Sequence, residues 1–183
     1  FEYWYPLDFR NSGKDLIQNH LAFSIFNHTA IFEKSKWPQG FSVNGFVTVD
    51  GEKMSKSKGN IILMRDMAQQ FGPDASRFTI LSGGEYLDDA NWDSELARSM
   101  GIRLTKLFEF VTEHHTGTSE HRSIDAWMES KLAETIRDTT ESMEDAYFRS
   151  AIQTGYHDLQ RHVRWYLRRT AGKPNASIMR KIA

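Results

Sequence analysis

Lys53-Met54-Ser55-Lys56-Ser57-Lys58-Gly59-Asn60 places three lysines, two serines and one glycine within eight residues. Such a stretch makes a poor core element. It is suited to meeting an anion. Lysine ammonium groups are compact charges on flexible stems, serine hydroxyls and free backbone N–H groups donate hydrogen bonds, and glycine lets backbone approach a phosphate closely. A solvated turn between two elements has much the same composition, so the flanking sequence decides between the two readings.

Immediately upstream the pattern has a period of two. Phe41, Val43, Gly45, Val47 and Val49 fall on one face of an expected strand, with Phe46 on the other, and Asp50-Gly51 is a strong hairpin signal. Before that strand, Ser12-Gly13-Lys14-Asp15 opens an expected helix. Leu16, Ile17, His20, Leu21, Ser24, Ile25, His28 and Phe32 recur along it at helical spacing, and Lys36-Trp37-Pro38-Gln39-Gly40 ends it. Residues 1 to 12 are aromatic and extended. A helix, a strand and a charged loop suit the C-terminal half of an α/β nucleotide-binding fold, where ligands sit at the carboxyl ends of parallel strands.

Downstream of Asn60 the pattern turns helical. Met64, Met67, Ala68 and Phe71 make a short helix closed by Gly72-Pro73, and Asp74 is the expected N-cap of a second that ends at Gly83-Gly84. Three longer amphipathic helices follow. Leu96, Met100, Leu104, Leu107, Phe108 and Val111 mark the first, capped by Asp93. Ile124, Trp127, Met128, Leu132, Ile136 and Met143 mark the second, after a polar loop at His114-His115-Thr116-Gly117-Thr118. Phe148, Ile152, Tyr156, Leu159, Val163 and Tyr166 mark the third, before Gly172-Lys173-Pro174. The fold class expected is α/β followed by mainly α: residues 1–60 as the C-terminal part of a Rossmann-like domain, 61–92 as a helical connector, and 93–183 as an antiparallel helical bundle.

At 183 residues and 21.2 kDa the chain can hold one ordinary domain or two small ones. A net charge of -1 hides a basic C-terminal end, where Arg161, Arg164, Arg168, Arg169, Lys173, Arg180 and Lys181 follow Arg149 with Asp158 as the acid among them. There is no cysteine, which excludes disulfides and thiolate zinc sites and fits a reducing, cytoplasmic setting. No apolar run approaches the roughly 20 residues that span a bilayer, so no membrane partner is expected. Neither His114-His115 nor His157 with His162 has a spacing suited to chelation, and no metal held by side chains is expected. The aromatic start without Met reads as part of a longer protein.

Lys53-Met54-Ser55-Lys56-Ser57, placed between an α/β half and a helical bundle, resembles the signature loop of the class I aminoacyl-tRNA synthetases. Tyr3-Trp4-Tyr5-Pro6-Leu7-Asp8, then Ser12-Gly13-Lys14-Asp15-Leu16-Ile17 and Asn19-His20-Leu21, resemble the leucyl-tRNA synthetases of the archaeal and eukaryotic kind. The resemblance implies activation of leucine with ATP, accompanied by Mg2+, to leucyl-adenylate, and transfer to tRNA(Leu). It implies that Lys53 and especially Lys56 neutralise the phosphates as pyrophosphate leaves, with Met54, Ser55 and Ser57 completing the ATP loop. Gly13 and Asp15 would meet the ribose, His20 the amino-acid or adenylate pocket, and Asn44, Gly45 and Phe46 the adenine through their backbone. Plainer readings stand beside these: Asp15 as an acid at a helix start, His20 as a hydrogen-bonded core residue, Asn44 to Phe46 as ordinary strand.

The bundle would meet tRNA through its arginines and through Trp165 and Tyr166, although Tyr166 also fits the core stripe. The family's His-x-Gly-His element and its editing domain are absent from these residues. The missing N-terminal half of the catalytic domain is therefore an expected partner, and the chain alone is expected to be inactive. A standalone RNA-binding module, or isoleucyl, valyl or methionyl specificity, is the alternative.

Overall fold

The alternating run from Phe41 does not form one strand. In the computed structural model, which describes residues 1–113 and 117–183, it divides into β2 (Phe41–Asn44) and β3 (Val47–Val49), and these belong to different sheets. β2 pairs in parallel with β1 (Arg10–Gly13), in a register running from Arg10 opposite Phe41 to Gly13 opposite Asn44. β3 pairs in parallel with β5 (Ala90–Trp92) and antiparallel with β4 (Glu52–Lys53), giving the order β4-β3-β5.

The break falls at Gly45. Its N–H donates to the Tyr86 carbonyl at 3.0 Å, and an ideal Cβ there would lie 2.0 Å from the Asp88 carbonyl oxygen. A side chain is excluded by backbone, so the segment after residue 83 can press against the chain at this point and divert it. The expected common face of residues 41 to 49 is thus replaced by two short faces.

The hairpin signal at Asp50-Gly51 is realised. Both residues have positive φ, 53° and 77°, which matches a two-residue turn whose twist suits antiparallel strands, and Val49 faces Glu52 across it. After β1 the chain winds through a 3-10 turn (Lys14–Leu16) and a π-helical turn (Ile17–Leu21) into α1 (Ala22–Ile31). The expected apolar face of this helix is only partly buried: Leu21 is 5% exposed, Leu16, His28 and Phe32 are half-buried, and Ile17 and Ile25 are exposed, as are Phe23 and Phe26, which lie outside that face. His28 and Phe32 join Phe1 and Tyr5 in a ring cluster, with Tyr5 stacked on His28 at 5.8 Å.

The chain divides into two compact units: Phe1–Ile61 with Gly83–Trp92, and Ile62–Ser82 with Asp93–Ala183. The stretch 61–92 is therefore shared between them, its helical part going with the second unit and its final strand with the first. α2 (Met64–Phe71) ends at Gly72, whose φ is 83°. α3 (Pro73–Gly83) begins at the proline, not after Asp74. Proline suits a first helical position because its missing N–H would have no partner there, and Asp74 lies inside the first turn, paired with Arg77 at 2.6 Å. Asp93 does cap α4 (Ser94–Glu113), its Oδ1 accepting from the N–H groups of Glu95 and Leu96.

α5 (Ser123–Glu144) packs on α6 (Phe148–Ile152), on a π-helical segment (Gln153–Asp158), on α7 (Leu159–Arg169) and on α8 (Ala176–Ile182). Met128, Leu132, Val163, Tyr166, Ile178 and Met179 form its core, with Phe110 packed against them. Phe108 and Ile136, expected inside, are 70% and 64% exposed, and Met143 is also exposed. An apolar stripe can widen to either side, and the neighbouring helix took Phe110 instead of Phe108 and Thr135 instead of Ile136. Of the expected loop at residues 114–118, His114, His115 and Thr116 lie outside the described residues.

One polar hub ties three of these segments. The buried Tyr166 hydroxyl donates to Asp125 Oδ1 at 2.5 Å and accepts from the Asn175 N–H at 2.9 Å. Asp125 Oδ2 accepts from the Arg122 N–H, and Asn175 Oδ1 accepts from Ser177 and Ile178 at the start of α8. Burial first, then the Asp125 hydrogen bond, pushes the Tyr166 hydroxyl up to about 12. A raised folded value means stability that is complete below the unfolded value near 10 and is lost as pH climbs from there toward 12.

Two predictions follow from this packing. Tyr166→Phe should cost about 2 to 3 kcal/mol at pH 7, because it strands a buried carboxylate oxygen and a buried N–H. In urea titrations the native chain should lose about 1.4 kcal/mol per pH unit across the alkaline window through this group, a slope missing from the variant. Gly45→Ala should destabilise the first unit by at least about 2 kcal/mol, against about 1 kcal/mol for Gly51→Ala, which meets no neighbour and suffers only from its φ. Equal thermal shifts for the two would refute the steric account of the break.

Candidate functional site

Gly13 and Asn44 are the last residues of the parallel strands β1 and β2 and lie opposite each other. Just beyond them stands the Phe46 ring, half-buried, with two ammonium groups over it: Lys14 Nζ at 5.3 Å from the centroid and Lys53 Nζ at 4.7 Å. One lysine comes from the Gly13-Lys14-Asp15 turn and the other opens the lysine-serine loop. The two stretches singled out in the sequence therefore meet at the carboxyl ends of the parallel strands.

Asp89 fixes this meeting. Its Oδ1 accepts the Phe46 N–H at 2.8 Å and pairs with Lys14 Nζ at 2.6 Å, while the same ammonium donates to the Leu87 carbonyl at 3.0 Å. The Lys14 hydrogen bond first, and the Phe46 N–H second, hold the Asp89 carboxyl below its ordinary range. Asn91 makes a parallel connection, its Oδ1 accepting from Thr48 Oγ1 at 3.1 Å and from the Gly51 N–H at 2.8 Å. Asp89 and Asn91 were not among the residues the sequence singled out, and Lys14 was quoted there without a role of its own. The signal present for them was a pair of adjacent acids, Asp88-Asp89, in a polar stretch with no role assigned.

The loop itself is a clasped turn. Asn60 closes it, its Oδ1 accepting the Ser55 N–H at 2.8 Å and its amide donating to the Lys53 carbonyl at 3.3 Å. Inside the clasp, Lys58 and Gly59 donate N–H bonds to the carbonyls of Ser55 and Lys56, and Gly59 has φ 67°. The hydroxyls of Ser55 and Ser57 lie 2.8 Å apart. Met54 is half-buried. Lys58 pairs with Glu52 at 3.0 Å, whereas Lys56 is exposed and, among the described residues, has no ion-pair partner. Its charge is free to meet an incoming anion.

The remaining expected residues are placed as follows. The Asp15 carboxylate occupies the space a Cβ on Gly13 would take, 2.7 Å from that position, so carboxylate and glycine backbone form one small surface. Asn44 donates its amide to the Gly45 carbonyl at 2.7 Å and accepts from Asn11 at 3.2 Å. Gly45 is buried. His20 lies on the π-helical turn, exposed, which removes the reading of it as a core histidine; that part is taken by His28, bonded to the Ser24 carbonyl at 2.6 Å. Among the described residues, neither the His20 ring nor Lys56 is bonded to the rest of this constellation. In the second unit Tyr166 is buried and Trp165 is 49% exposed, which separates the two aromatics that the sequence left together.

Comparison with known proteins identifies the family. Residues 3–100 match the family described as tRNA synthetases class I (C) catalytic domain, and residues 125–182 match the anticodon-binding domain of tRNA ligase. The leucine–tRNA ligase of Aeropyrum pernix is 48% identical over 99% of this chain, that of Archaeoglobus fulgidus 41% over 98% of it, and that of Pyrococcus horikoshii 40% over 100% of it. The chain spans about a fifth of the length of these curated relatives, 19% to 20%. Among solved structures, a LeuRS of Agrobacterium radiobacter K84, crystallised as a ternary complex with tRNA and LeuAMS, shares the fold with a TM-score of 0.76 at 22% identity, over 97% of this chain and 24% of that one. With its catalytic-domain match covering more than half of its residues, the chain belongs to the class I tRNA synthetases.

Proposed function

We propose that the chain is part of a leucine–tRNA ligase, an enzyme that activates leucine with ATP and transfers it to tRNA(Leu). The observation that carries this is the convergence of the Gly13-Lys14-Asp15 turn and the Lys53 loop on Phe46, at the ends of parallel strands. Residues 1–60 act in this reading as the C-terminal part of a Rossmann-like catalytic domain, 61–92 as a connector, and 93–183 as an antiparallel anticodon-binding bundle. The exposed Phe23 and Phe26 of α1 support a partner surface for the other half of that domain.

ATP lies over Phe46 with its adenine on the backbone of Asn44, Gly45 and Phe46 and its ribose hydroxyls on Asp15 beside Gly13. The triphosphate runs toward the loop, where the Ser55 and Ser57 hydroxyls donate to it, beside Met54. His20 borders the amino-acid or adenylate pocket. Attack of the leucine carboxylate on the α-phosphate forms the new P–O bond as the bond to pyrophosphate breaks. Lys56 and Lys53 offset the charge that accumulates on the leaving group, which needs fixed cations and little proton transfer. Mg2+ arrives with ATP as part of the substrate. The basic face of the bundle meets the tRNA backbone. The setting is the cytoplasm.

The test is a chimera in which this chain replaces the matching stretch of the Aeropyrum pernix enzyme. Leucine-dependent ATP–pyrophosphate exchange should persist, and Lys56→Ala should lower it by about 10²-fold or more, with Lys56→Arg recovering part. The chain alone should give no exchange. Exchange by the chimera that is indifferent to Lys56→Ala would overturn the proposed role of the loop.

A further inference from the structure

In the first unit the Gly13-Lys14-Asp15 turn sets a cation directly beside the carboxylate that would meet the ribose. Asp15 is exposed, and among the described residues it takes part in no ion pair. Its Oδ1 lies 2.7 Å from where a Cβ on Gly13 would stand, so it fills the glycine cradle at the end of β1. Lys14, one residue before it, carries its ammonium on a flexible stem that can swing toward a neighbouring acid. It is turned elsewhere. Lys14 Nζ pairs with Asp89 Oδ1 at 2.6 Å, donates to the Leu87 carbonyl at 3.0 Å and lies 5.3 Å from the Phe46 ring centroid. These contacts leave the Lys14 side chain 30% exposed, and none of them is to its sequence neighbour.

A plain staple between the 85–89 segment and the strand ends accounts for part of this. Asp89 Oδ1 also accepts the Phe46 N–H at 2.8 Å, and that bond ties residue 89 to the strand break without any help from a cation. The choice of cation is left over. Of the two ammonium groups on the Phe46 ring, Asp89 takes the one next to Asp15 and leaves Lys53, 4.7 Å from the centroid, in no ion pair among the described residues. The charges of Lys14 and Asp89 cancel, and Asp15 keeps its own. A carboxylate in that state accepts hydroxyl hydrogen bonds as a charged acceptor, the stronger kind. An ammonium loose beside it, with three donors of its own, would compete with a ribose for the same oxygens.

We infer that Asp89 is a positioning residue for recognition of the ATP ribose: it holds the Lys14 ammonium against Leu87 and Phe46 and so keeps the Asp15 carboxylate open to the ribose hydroxyls. This rests on the reading of Asp15 as the ribose acceptor and deepens it, because it names what keeps that acceptor free.

The test uses the chimera with the Aeropyrum pernix enzyme and compares kcat/KM for ATP, 2′-deoxyATP and 3′-deoxyATP in leucine-dependent pyrophosphate exchange. The three nucleotides share base and triphosphate, so changes in stability or in phosphate binding cancel in the ratio. The native chimera should prefer ATP to at least one deoxy analogue by about 10- to 150-fold, the range for a hydrogen bond to a charged group, and Asp15→Asn should remove most of that preference. Asp89→Asn, whose amide oxygen can still accept the Phe46 N–H, should lower the preference by about 2- to 5-fold. Adding Lys14→Gln to it should restore the preference, and Lys14→Gln alone should keep it. If Asp89→Asn slows exchange with all three nucleotides alike, or if Lys14→Gln fails to restore the preference, Asp89 is a staple only and the inference falls. A loss of preference in Lys14→Gln alone equal to that in Asp89→Asn would make Lys14 itself a ribose ligand, and would overturn it too. Where Asp89→Asn abolishes exchange, the double variant must recover it with the native preference; silence from both is a refutation. A native chimera without preference, or one indifferent to Asp15→Asn, would overturn the ribose reading beneath the inference, a result separate from the response to Lys56→Ala.

Discussion

A single carboxylate oxygen, Asp89 Oδ1, holds the first unit's site together by accepting from the Phe46 N–H and the Lys14 ammonium at once. The two donors lie on opposite sides of the strand break, 43 and 75 residues away in sequence terms for Phe46 and Lys14 respectively, the latter being the difference between positions 89 and 14. Without that oxygen the Lys14 ammonium would lose its only carboxylate among the described residues, and the Phe46 N–H just after Gly45 would lose its acceptor. The close approach that forbids a side chain at Gly45 comes from the adjacent residue, Asp88. The site therefore depends on a segment that leaves the first unit at Ile61, passes through two helices of the second, and returns at Gly83.

That dependence explains what was legible in the sequence. Local signals were read correctly where the physics is local. Asp50-Gly51 forces its turn through two positive φ values, Gly72 ends α2 in the same way, and the Asp93 carboxylate finds the free N–H groups of the next turn. The lysine-serine stretch was legible as a closed loop because its closing residue, Asn60, lies inside the quoted stretch. The break at Gly45 was not legible, because alternation continues through it and the cause lies in the Asp88 backbone. Asp74 was misplaced for a related reason: both it and Pro73 are good helix starters, and the proline's fixed φ won.

The helices show the same division. Periodicity located the buried stripe at Met100, Met128, Leu132, Val163 and Tyr166, which all lie inside, but its edges were set by neighbours, and Phe108 and Ile136 fell on the wrong side. Tyr166 was ambiguous because one side chain combines a core-sized ring with a polar tip. Its partner Asp125 resolves it, and a buried acid in the first turn of α5 is not something hydrophobic spacing can flag.

The charge arrangement of the loop follows from how its lysines are tethered. Lys58 is paired with Glu52, and Lys53 rests on the Phe46 face, a contact worth about 0.5 to 1 kcal/mol at an exposed site. A hold that weak would yield to an anion, and Lys53 could then move without breaking a carboxylate pair. Lys56 has nothing to release. Its backbone is meanwhile fixed by the Asn60 clasp and by the N–H of Gly59 on its own carbonyl. The loop thus combines an ordered backbone, whose ordering cost is met in the free protein, with side-chain charges graded from tied through resting to free. Anion binding on such a loop would order side chains alone, and only an anion large enough to reach Lys56 and Lys53 together would engage both charges.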